Sequence, residues 1–454
     1  MSEEQCDVVV VGLGPGGEAL ASRLAKAGLD VVAVEAELVG GECPYWGCIP
    51  SKMLVRAAAA LAEARRIDGL AGHAALTPDF GPVARRIREE ATDDWDDTVA
   101  ADRLTNAGVH LVRGHGRVAG DRTVEVQTSD GIERFVALRG VVLNTGTTAA
   151  VPPIDGLTDT PFWTNRDALK TTTAPASLVV IGGGSIGLEL AQAFSRFGTD
   201  VVVLEAGPRI MGPEEPETAE LVKDVLESEG MGVHAGVTID GVAHDGERFH
   251  VTCGDLTFEA EQLLVAAGRT SRIDDVGLDT VGVDTSGRFL EVDDEQQVTD
   301  GLWAIGDIVG RGAFTHVAMY QSERAVRAIL GKPQEPYDTS LPRVTFTDPE
   351  VGAVGLTEQQ ARDQGISVEV STSSVAESSR GFVHGPGHEG LIKLVVDTDR
   401  DVLVGATSIG PTGGETLSGL AVAVRAEIPL STLRNSIYAY PTFWRAVEST
   451  LMPA

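Results

Sequence analysis

Two cysteines, Cys43 and Cys48, have four residues between them. They stand in the segment Gly40-Gly-Glu-Cys-Pro-Tyr-Trp-Gly-Cys-Ile-Pro-Ser-Lys52. Such a pair can form a disulfide, and its thiolate is stabilised at the start of a helix by unpaired backbone N–H groups and the helix dipole. Pro44 fits a first helical position, and Gly47 and Pro50 are expected to distort the helix so that the sulfurs approach bonding distance. The segment predicts thiol redox chemistry.

Other readings of the pair are two small buried residues or half of a zinc site. Zinc sites usually place cysteines two to four residues apart and need a second ligand pair. The chain has 4 cysteines, and the other two, Cys6 and Cys253, are far from this pair and from each other. The redox interpretation is therefore favoured.

Two glycine-rich turns each follow an apolar strand and precede a helix. The first follows Asp7 to Val11 and contains Gly12, Gly14 and Gly17; the second, within Leu178 to Leu190, contains Gly182, Gly184 and Gly187. Glycines at these places let the backbone approach a pyrophosphate that faces the helix N-terminus. The alternative is a pair of glycine turns that bind nothing. The chain is therefore expected to bind two nucleotides.

An acid ends the second strand of each unit: Glu35 follows Gly12 by 23 residues, and Glu205 follows Gly182 by the same number. A carboxylate there accepts hydrogen bonds from ribose hydroxyls and repels the 2′-phosphate of NADP. NADH is therefore predicted at the second site. NADPH is the alternative, because the nearby Arg209 could accommodate its 2′-phosphate.

Composition limits the classes of partner. The 36 basic and 67 acidic residues give a net charge of −31, which argues against nucleic acid or an anionic membrane as a partner. No apolar run is long enough to span a bilayer, and the first predicted strand lies too near the start for a signal peptide. A cytoplasmic location is expected, where a disulfide is more often catalytic than structural.

The order of motifs predicts an α/β fold with two Rossmann-like nucleotide-binding domains and a third, α+β domain at the C-terminus. The predicted segments are 1–150, which carries the dithiol, 151–269, which is the second nucleotide unit, 270–340, which returns to the first domain, and 341–454, which is the third domain. Residues 80–107 are predicted as a polar helix with an acidic stretch. Gly301 to Asp307 predicts a strand that ends in a Gly-Asp turn.

These segments, in this order, resemble the flavoprotein pyridine nucleotide–disulfide oxidoreductases, the group of dihydrolipoamide dehydrogenase, glutathione reductase, mycothione reductase and mercuric reductase. The signature is Gly-Gly-x-Cys-x4-Cys-Ile-Pro-Ser-Lys, and Thr345 to Gly352 resembles the opening of the dimerisation domain. The resemblance implies that 1–150 and 270–340 form an FAD-binding domain, 151–269 an NAD(P)-binding domain and 341–454 a dimerisation domain. It also implies a homodimer in which FAD lies between the dithiol and the nicotinamide. Implied cofactor-binding residues include Gly41, Lys52, Thr145, Gly146, Gly268, Gly306 and Asp307.

The same resemblance implies residue roles. Cys48 would face the flavin as the charge-transfer thiolate, and Cys43 would exchange with the substrate. Lys52 would sit by the flavin, paired with Glu189. Hydride would pass from NADH to FAD, and electrons from there to the disulfide.

The C-terminal region departs from the family pattern. Members that act on thiols and disulfides carry His-Pro and, four residues later, Glu; here Tyr440 takes the histidine position and Arg445 the glutamate position. A phenol with a pKa near ~10 is a poor base at neutral pH compared with imidazole near ~6.5. Tyr440 is kept as a candidate catalytic residue, and His384 and His388 are interpreted first as surface histidines.

The hypothesis is a flavoenzyme that passes electrons from NADH through FAD to the Cys43–Cys48 disulfide and on to a disulfide or other thiolate-reactive acceptor. Tyr45 and Trp46 could favour a flat acceptor, although core packing explains them more simply. One alternative uses FAD directly to reduce a quinone or a metal ion of the mercuric type. Another is a flavin-bound redox sensor. No resident metal is expected.

Overall fold

The computed structural model describes residues 3–452. Its strands are β1 Glu3–Val11, β2 Val31–Glu35, β3 His110–Arg113, β4 His115–Gly120, β5 Thr123–Thr128, β6 Gly131–Leu143, β7 Thr147–Ala149, β8 Ser177–Ile181, β9 Asp200–Glu205, β10 Gly232–Ala235, β11 Gly241–His244, β12 Phe249–Cys253, β13 Leu256–Ala260, β14 Gln262–Val265, β15 Arg269–Ser271, β16 Gln297–Thr299, β17 Leu302–Ala304, β18 Arg343–Thr345, β19 Glu350–Gly355, β20 Val368–Ser374, β21 Leu391–Asp397 and β22 Val402–Gly410.

The helices are α1 Pro15–Lys26, α2 Glu42–Trp46, α3 Cys48–Arg65, α4 Gly81–Arg86, α5 Thr98–Asn106, α6 Asn165–Lys170, α7 Ser185–Arg196, α8 Pro216–Ser228, α9 Thr315–Ile329, α10 Glu358–Asp363, α11 Ser379–His384, α12 Gly413–Arg425, α13 Leu430–Arg434 and α14 Trp444–Leu451. A π-helical turn covers Ile87–Ala91, and short 3₁₀ turns cover Leu157–Asp159, Leu278–Val281 and Gly306–Val309.

The chain forms two compact units. The first contains 1–50, 86–150 and 269–337, and the second contains 51–85, 151–268 and 338–454. Residues 51–85 therefore cluster with the second unit, where Phe80 stacks on Phe194, although they were expected with the FAD segment. The predicted division into four segments stays a prediction.

The first unit is built on a mostly parallel sheet of strand order β16-β17-β6-β1-β2-β3, with β4 and β5 joined through β6. Alternate residues of β1 enter different apolar clusters: Val9 and Val11 pack on one side, and Val8 and Val10 on the other. A sheet covered on both faces needs continuous apolar strands, which the valine run supplies. β1 begins at Glu3, earlier than the predicted Asp7.

The second unit contains a parallel sheet, β10-β9-β8-β14, and an antiparallel sheet, β18-β19-β22-β21-β20. Both α12 and α14 contribute apolar side chains to the cluster on the antiparallel sheet, among them Leu417, Leu420 and Val447. Two Rossmann-like sheets and a C-terminal α+β sheet confirm the predicted fold class.

The predicted polar helix over 80–107 is wrong as a single element. It is divided into α4, the π-helical turn and α5, because Asp93, Asp94 and Trp95 have φ values of 48°, 56° and 58°. A right-handed helix cannot continue through left-handed residues. Within residues 3–452, none of the helices combines the length and apolar character that a membrane crossing requires.

Candidate active site

The first glycine turn leaves no room for side chains. Gly12 has φ +91°, and a Cβ atom on it would lie 2.4 Å from the carbonyl oxygen of Asn144. A Cβ atom on Gly17 would lie 2.1 Å from the carbonyl oxygen of Gly12. Gly14 caps α1 without a side-chain hydrogen bond, and Pro15 follows at the first helical position. The turn and the start of α1 thus form a bare backbone cradle that fits a pyrophosphate.

Glu35 lies at the end of β2 and points back at this turn. Its Oε2 accepts a hydrogen bond from the Leu13 N–H at 2.7 Å, and its Oε1 accepts one from the Glu37 N–H at 2.8 Å. Burial raises the pKa of the Glu35 carboxyl, although the two backbone donors oppose this effect. The carboxylate is therefore fixed beside the cradle, where a ribose would follow a pyrophosphate.

Asn144 joins three predicted glycines and was not singled out from the sequence. Its Nδ2 donates to the carbonyl oxygen of Gly12 at 3.2 Å. A Cβ atom on Gly306, which has φ +77°, would lie 2.7 Å from its Oδ1, and one on Gly14 would lie 3.3 Å from its Nδ2. Gly41, with φ +64°, lies close to Gly14, since its Cβ would be 2.8 Å from the Gly14 Cα. The loops predicted to hold FAD thus converge in this unit.

Asp307 belongs to the same group of loops. Its Oδ2 accepts a hydrogen bond from Thr147 Oγ1 at 2.7 Å, and Arg269 Nε donates to the same hydroxyl at 2.7 Å. Thr145 Oγ1 donates to the carbonyl oxygen of Arg272 at 2.9 Å. Gly146 follows with φ +71°, a conformation that suits glycine. Thr147 and Arg269 were also missed, because nothing in their local sequence marks them.

The two cysteines lie at the starts of successive helices. Cys43 is the second residue of α2 and Cys48 the first residue of α3, with Gly47 between the helices at φ −134° and ψ −111°. Pro44 is therefore the third residue of α2, and the prediction that it occupies the first position is wrong, because the helix begins at Glu42. Pro50 lies in the first turn of α3, where proline is tolerated.

Both sulfurs are free thiols, and both residues are half-buried. The Cys43 thiol hydrogen bonds to Cys48; this bond and then burial raise the pKa of the Cys43 thiol, against the lowering effect of Thr315. Cys48 Sγ lies 3.3 Å from Thr315 Oγ1, which stands at the start of α9. Cys6 is a separate buried thiol whose pKa burial raises to about 12. The two predicted redox thiols are thus in direct contact.

Lys52 and Glu189 form an ion pair in the second unit. Lys52 Nζ donates to Glu189 Oε2 at 2.7 Å and lies 4.8 Å from the centre of the Phe346 ring. The other carboxylate oxygen accepts from the Phe346 N–H at 2.9 Å. The pairing implied by the resemblance is present, while the roles of both residues remain proposals.

The second glycine turn repeats the relations of the first. Gly182 has φ +115°, and Cβ atoms on Gly182 and Gly187 would lie 2.4 Å and 2.1 Å from the backbone oxygens of Ala266 and Gly182. Glu205 accepts from the N–H groups of Gly183 and Gly207, each at 2.6 Å. Gly184 caps α7 without a side-chain hydrogen bond. This turn also fits a pyrophosphate and a ribose.

Two further predicted positions lie near this turn. Arg209 Nη2 donates to the carbonyl oxygens of Gly212 and Glu214, at 2.8 and 3.0 Å, so that group is directed at its own loop. Gly268 has φ +104° and open space around its Cβ direction. Glycine is favoured at position 268 because of this left-handed φ, and not because a side chain would collide with a neighbour.

The C-terminal positions that depart from the family pattern lie together. The Tyr440 side chain is 72% exposed, and the Arg445 guanidinium lies 5.8 Å from the centre of its ring. Arg445 also pairs with Glu448. His384 lies 6.0 Å from the Phe443 ring, and His388 Nδ1 is 2.9 Å from the carbonyl oxygen of Gly381. Tyr440 is therefore an accessible phenol beside a cation.

Comparison with known proteins assigns the family. Residues 6–322 match the pyridine nucleotide-disulphide oxidoreductase model, and residues 341–450 match the dimerisation domain of the same family. The dihydrolipoyl dehydrogenase of Chlorobaculum tepidum is 34% identical, with 99% of this chain and 97% of the relative covered. A mercuric reductase of Shewanella putrefaciens is 32% identical, over 97% of this chain and 80% of that protein.

A solved structure of similar fold is the HOCl-induced flavoprotein disulfide reductase RclA from Escherichia coli, in a Cu(II) complex. It has a TM-score of 0.87 and 26% identity, and 99% of each chain is covered. The match to the dimerisation domain supports a homodimer, and FAD and NAD(P)H are the cofactors. The predicted family, cofactors and enzyme class are thus confirmed. The chain belongs to the pyridine nucleotide-disulphide oxidoreductase family and is a FAD-dependent NAD(P)H disulfide oxidoreductase.

Proposed function

We propose that Cys43 and Cys48 are the redox pair of this enzyme, and that they deliver the reducing equivalents of NADH to a small-molecule disulfide or another thiolate-reactive acceptor. The observation that carries the proposal is the hydrogen bond between the two thiols, at the starts of two helices. Thiol–disulfide exchange requires both sulfurs within reach of one another.

The residues that would hold FAD are those of the first unit: the turn Gly12, Gly14 and Gly17, with Glu35 and Asp307. When bound, FAD supplies the two-electron chemistry that links a nicotinamide donor to a dithiol. Gly41, Thr145, Gly146 and Gly306 are proposed to complete its site, and Lys52, paired with Glu189, to lie beside it.

The second turn is proposed as the NADH site. Gly182, Gly184 and Gly187 would face the pyrophosphate, and the Glu205 carboxylate would accept from ribose hydroxyls. The same carboxylate would repel a 2′-phosphate. The Arg209 guanidinium could offset that repulsion, but its Nη2 donates to two backbone carbonyl oxygens instead. NADH is therefore the proposed donor.

The proposed reduction of a disulfide RSSR takes two exchange steps, one at each cysteine. The Cys43 sulfur attacks one sulfur of RSSR, the mixed disulfide Cys43–SR forms, and one RS⁻ leaves. The Cys48 sulfur then attacks the Cys43 sulfur, releases the second RS⁻ and closes the Cys43–Cys48 disulfide. Two electrons pass from dithiol to acceptor, and the two thiol protons go to the leaving thiolates or to water.

The two thiols stand on helices of different length. Cys48 is the first residue of the long helix α3, whose N-terminus would stabilise a thiolate on its sulfur. Cys43 lies in the short helix α2. We propose Cys43 as the exchanging thiol. Tyr440 is proposed to face the acceptor in place of a histidine, and a cytoplasmic location is proposed because thiols stay reduced there.

The experiment that tests the proposal counts thiols and measures turnover. Anaerobic NADH added to the oxidised holoenzyme is expected to expose two additional alkylatable thiols, located by peptide mass at Cys43 and Cys48. Cys43→Ser is expected to lose both this gain and turnover with lipoamide and low-molecular-weight disulfides. Cys253→Ser, which removes a separate buried thiol, is the matched control. Unchanged turnover of Cys43→Ser with the preferred acceptor would exclude the dithiol mechanism.

A further inference from the structure

Residues 92–97 join the π-helical turn to α5, and we call them the strap. They contact residues 39–46, here called the redox segment, on both sides of Cys43. On one side, Asp97 Oδ2 accepts from the Val39 N–H at 2.6 Å. On the other side, the Trp95 ring stacks on the Trp46 ring, with 5.5 Å between the ring centres and 18° between the planes. The strap thus brackets the stretch that carries Cys43.

The strap adopts a backbone that L-residues disfavour. Asp93, Asp94 and Trp95 are three successive non-glycine residues with positive φ. Such a run persists only where neighbouring groups hold it. Here the Asp94 N–H donates to the carbonyl oxygen of Arg88 at 2.7 Å, and Thr92 Oγ1 donates to the same oxygen at 3.1 Å. The strain brings the Trp95 indole onto the redox segment.

Trp95 makes a second contact that ends α2. Its indole Nε1–H donates to the carbonyl oxygen of Tyr45 at 3.3 Å. The last carbonyls of a helix have no partner within that helix, and α2 has only five residues. Trp95 therefore supplies a hydrogen-bond donor to the Tyr45 carbonyl oxygen, and its ring holds the last residue of α2, Trp46, by stacking. Only Gly47 then separates this fixed point from Cys48.

We propose that Trp95 is a positioning residue of the redox dithiol, which holds α2 so that little chain freedom is lost when the disulfide closes. The proposal deepens the proposed function and rests on Cys43 and Cys48 being its redox pair. Closing a disulfide removes conformational freedom from the residues between the sulfurs. A segment that is already ordered in the dithiol state loses less conformational freedom on closing. Its disulfide is therefore more stable, relative to the dithiol, than that of a mobile segment.

The test measures the thiol–disulfide equilibrium of the holoenzyme in glutathione buffers, anaerobically and without NADH. The reaction is protein dithiol plus oxidised glutathione giving protein disulfide plus two reduced glutathiones, read by alkylation and mass. Trp95→Leu removes both the stack and the N–H donor, and it is expected to lower the equilibrium constant about tenfold, a reduction potential about 30 mV less negative. Trp95→Phe, which keeps a ring but loses the donor, is expected to shift it about threefold.

Trp163→Phe is the matched control, because it shortens a partly buried tryptophan whose ring packs on Phe194 in the second unit. The equilibrium constant of this variant is expected to stay within about twofold of the value for the unsubstituted protein. If Trp95→Leu lowers the thermal midpoint but leaves the equilibrium constant unchanged, Trp95 is merely structural and the proposal is wrong. Should Trp95→Leu fail to fold, an unchanged Trp95→Phe overturns it equally. Absence of any Cys43–Cys48 disulfide in the unsubstituted protein would refute the proposed function itself.

Discussion

Lys52 Nζ lies 2.7 Å from Glu189 Oε2, and the carboxylate of this pair is almost fully buried, with 5% of the side chain exposed. The other oxygen of Glu189 accepts from the Phe346 N–H, and the ammonium group lies over the Phe346 ring. A buried carboxylate with this set of partners is fixed in position. The pair therefore places a cation at a defined point, four residues after Cys48 in α3.

Replacing Lys52 by Met tests this relationship. The change leaves the buried Glu189 carboxylate without its cation, so we expect the free energy of unfolding to fall by about 1–3 kcal/mol. Urea unfolding measures this loss. Lys223→Met, which removes an exposed pair with Glu227, is the control and should change stability by under ~0.5 kcal/mol. Equal losses in the two variants would show that the Glu189 carboxylate is not held by Lys52.

Lys393 is a buried cation, with 2% of its side chain exposed. Its Nζ lies 3.0 Å from Glu215, 2.9 Å from Glu217 and 3.1 Å from Glu358. Burial opposes the charge, but the hydrogen bonds to these carboxylates raise the pKa of the Lys393 ammonium. The stabilisation is therefore complete below the unfolded pKa of about 10.4 and is lost as the pH rises through the higher folded value.

Lys393→Met is accordingly expected to lower the free energy of unfolding by about 3–5 kcal/mol at neutral pH. The difference from the unsubstituted protein should shrink in strongly alkaline buffer, which chemical unfolding over a pH series measures. A difference that stays constant with pH would mean that lost packing, and not the charge, is responsible. Lys223→Met again serves as the exposed control.

The raised pKa of Cys43 gives a pH prediction for the reduced enzyme. A thiol whose pKa lies above about 8.5 has less thiolate at neutral pH than a free cysteine. We expect iodoacetamide to alkylate Cys43 more slowly than a free thiol at a pH near ~7.5, with a rate still rising above a pH of ~9. In Cys48→Ala the largest cause of the shift is gone, so alkylation of Cys43 should become faster. Equal rates with and without Cys48 would contradict the assigned hydrogen bond.

The glycines and acids of the site could be predicted from the sequence because their requirements are local. A left-handed φ favours glycine and a close backbone approach requires it, and the acid follows at a distance set by one strand–helix–strand unit. This is why Gly12, Gly17 and Glu35, and their counterparts near Gly182, were found. The same reasoning placed the cysteine pair at the start of one distorted helix, whereas two successive helices begin at Glu42 and Cys48.

Other residues act across long sequence separations and carry no local signal. Asn144 bonds to Gly12 at a separation of 132 residues, and Thr315 meets Cys48 at a separation of 267. Trp95 could not be predicted either, because the residues before it were expected to be helical. Its position depends on three left-handed residues that tertiary contacts hold against their intrinsic preference.

Coenzyme choice is predicted to depend on Glu205. In Glu205→Ser the carboxylate that would repel a 2′-phosphate is gone, so the ratio of kcat/KM for NADPH to that for NADH should rise about tenfold, or ~1.4 kcal/mol. Steady-state kinetics with both coenzymes measure the ratio. The control is Glu220→Ser on α8, an exposed acid outside the turn, which should leave the ratio unchanged. An unsubstituted enzyme that prefers NADPH would refute the argument.

Tyr440→His should restore a proton acceptor suited to neutral pH. The side chain is 72% exposed, so an imidazole replaces the phenol without opening a cavity. Because imidazole titrates near ~6.5, we expect turnover with a small disulfide to rise about tenfold at a pH of ~7.5, and the gain to fade below a pH of ~6. Ile437→His, which adds an imidazole at a fully exposed position nearby, is the control and should show no gain. If both variants or neither gain activity while remaining dimeric, Tyr440 does not occupy a proton-transfer position.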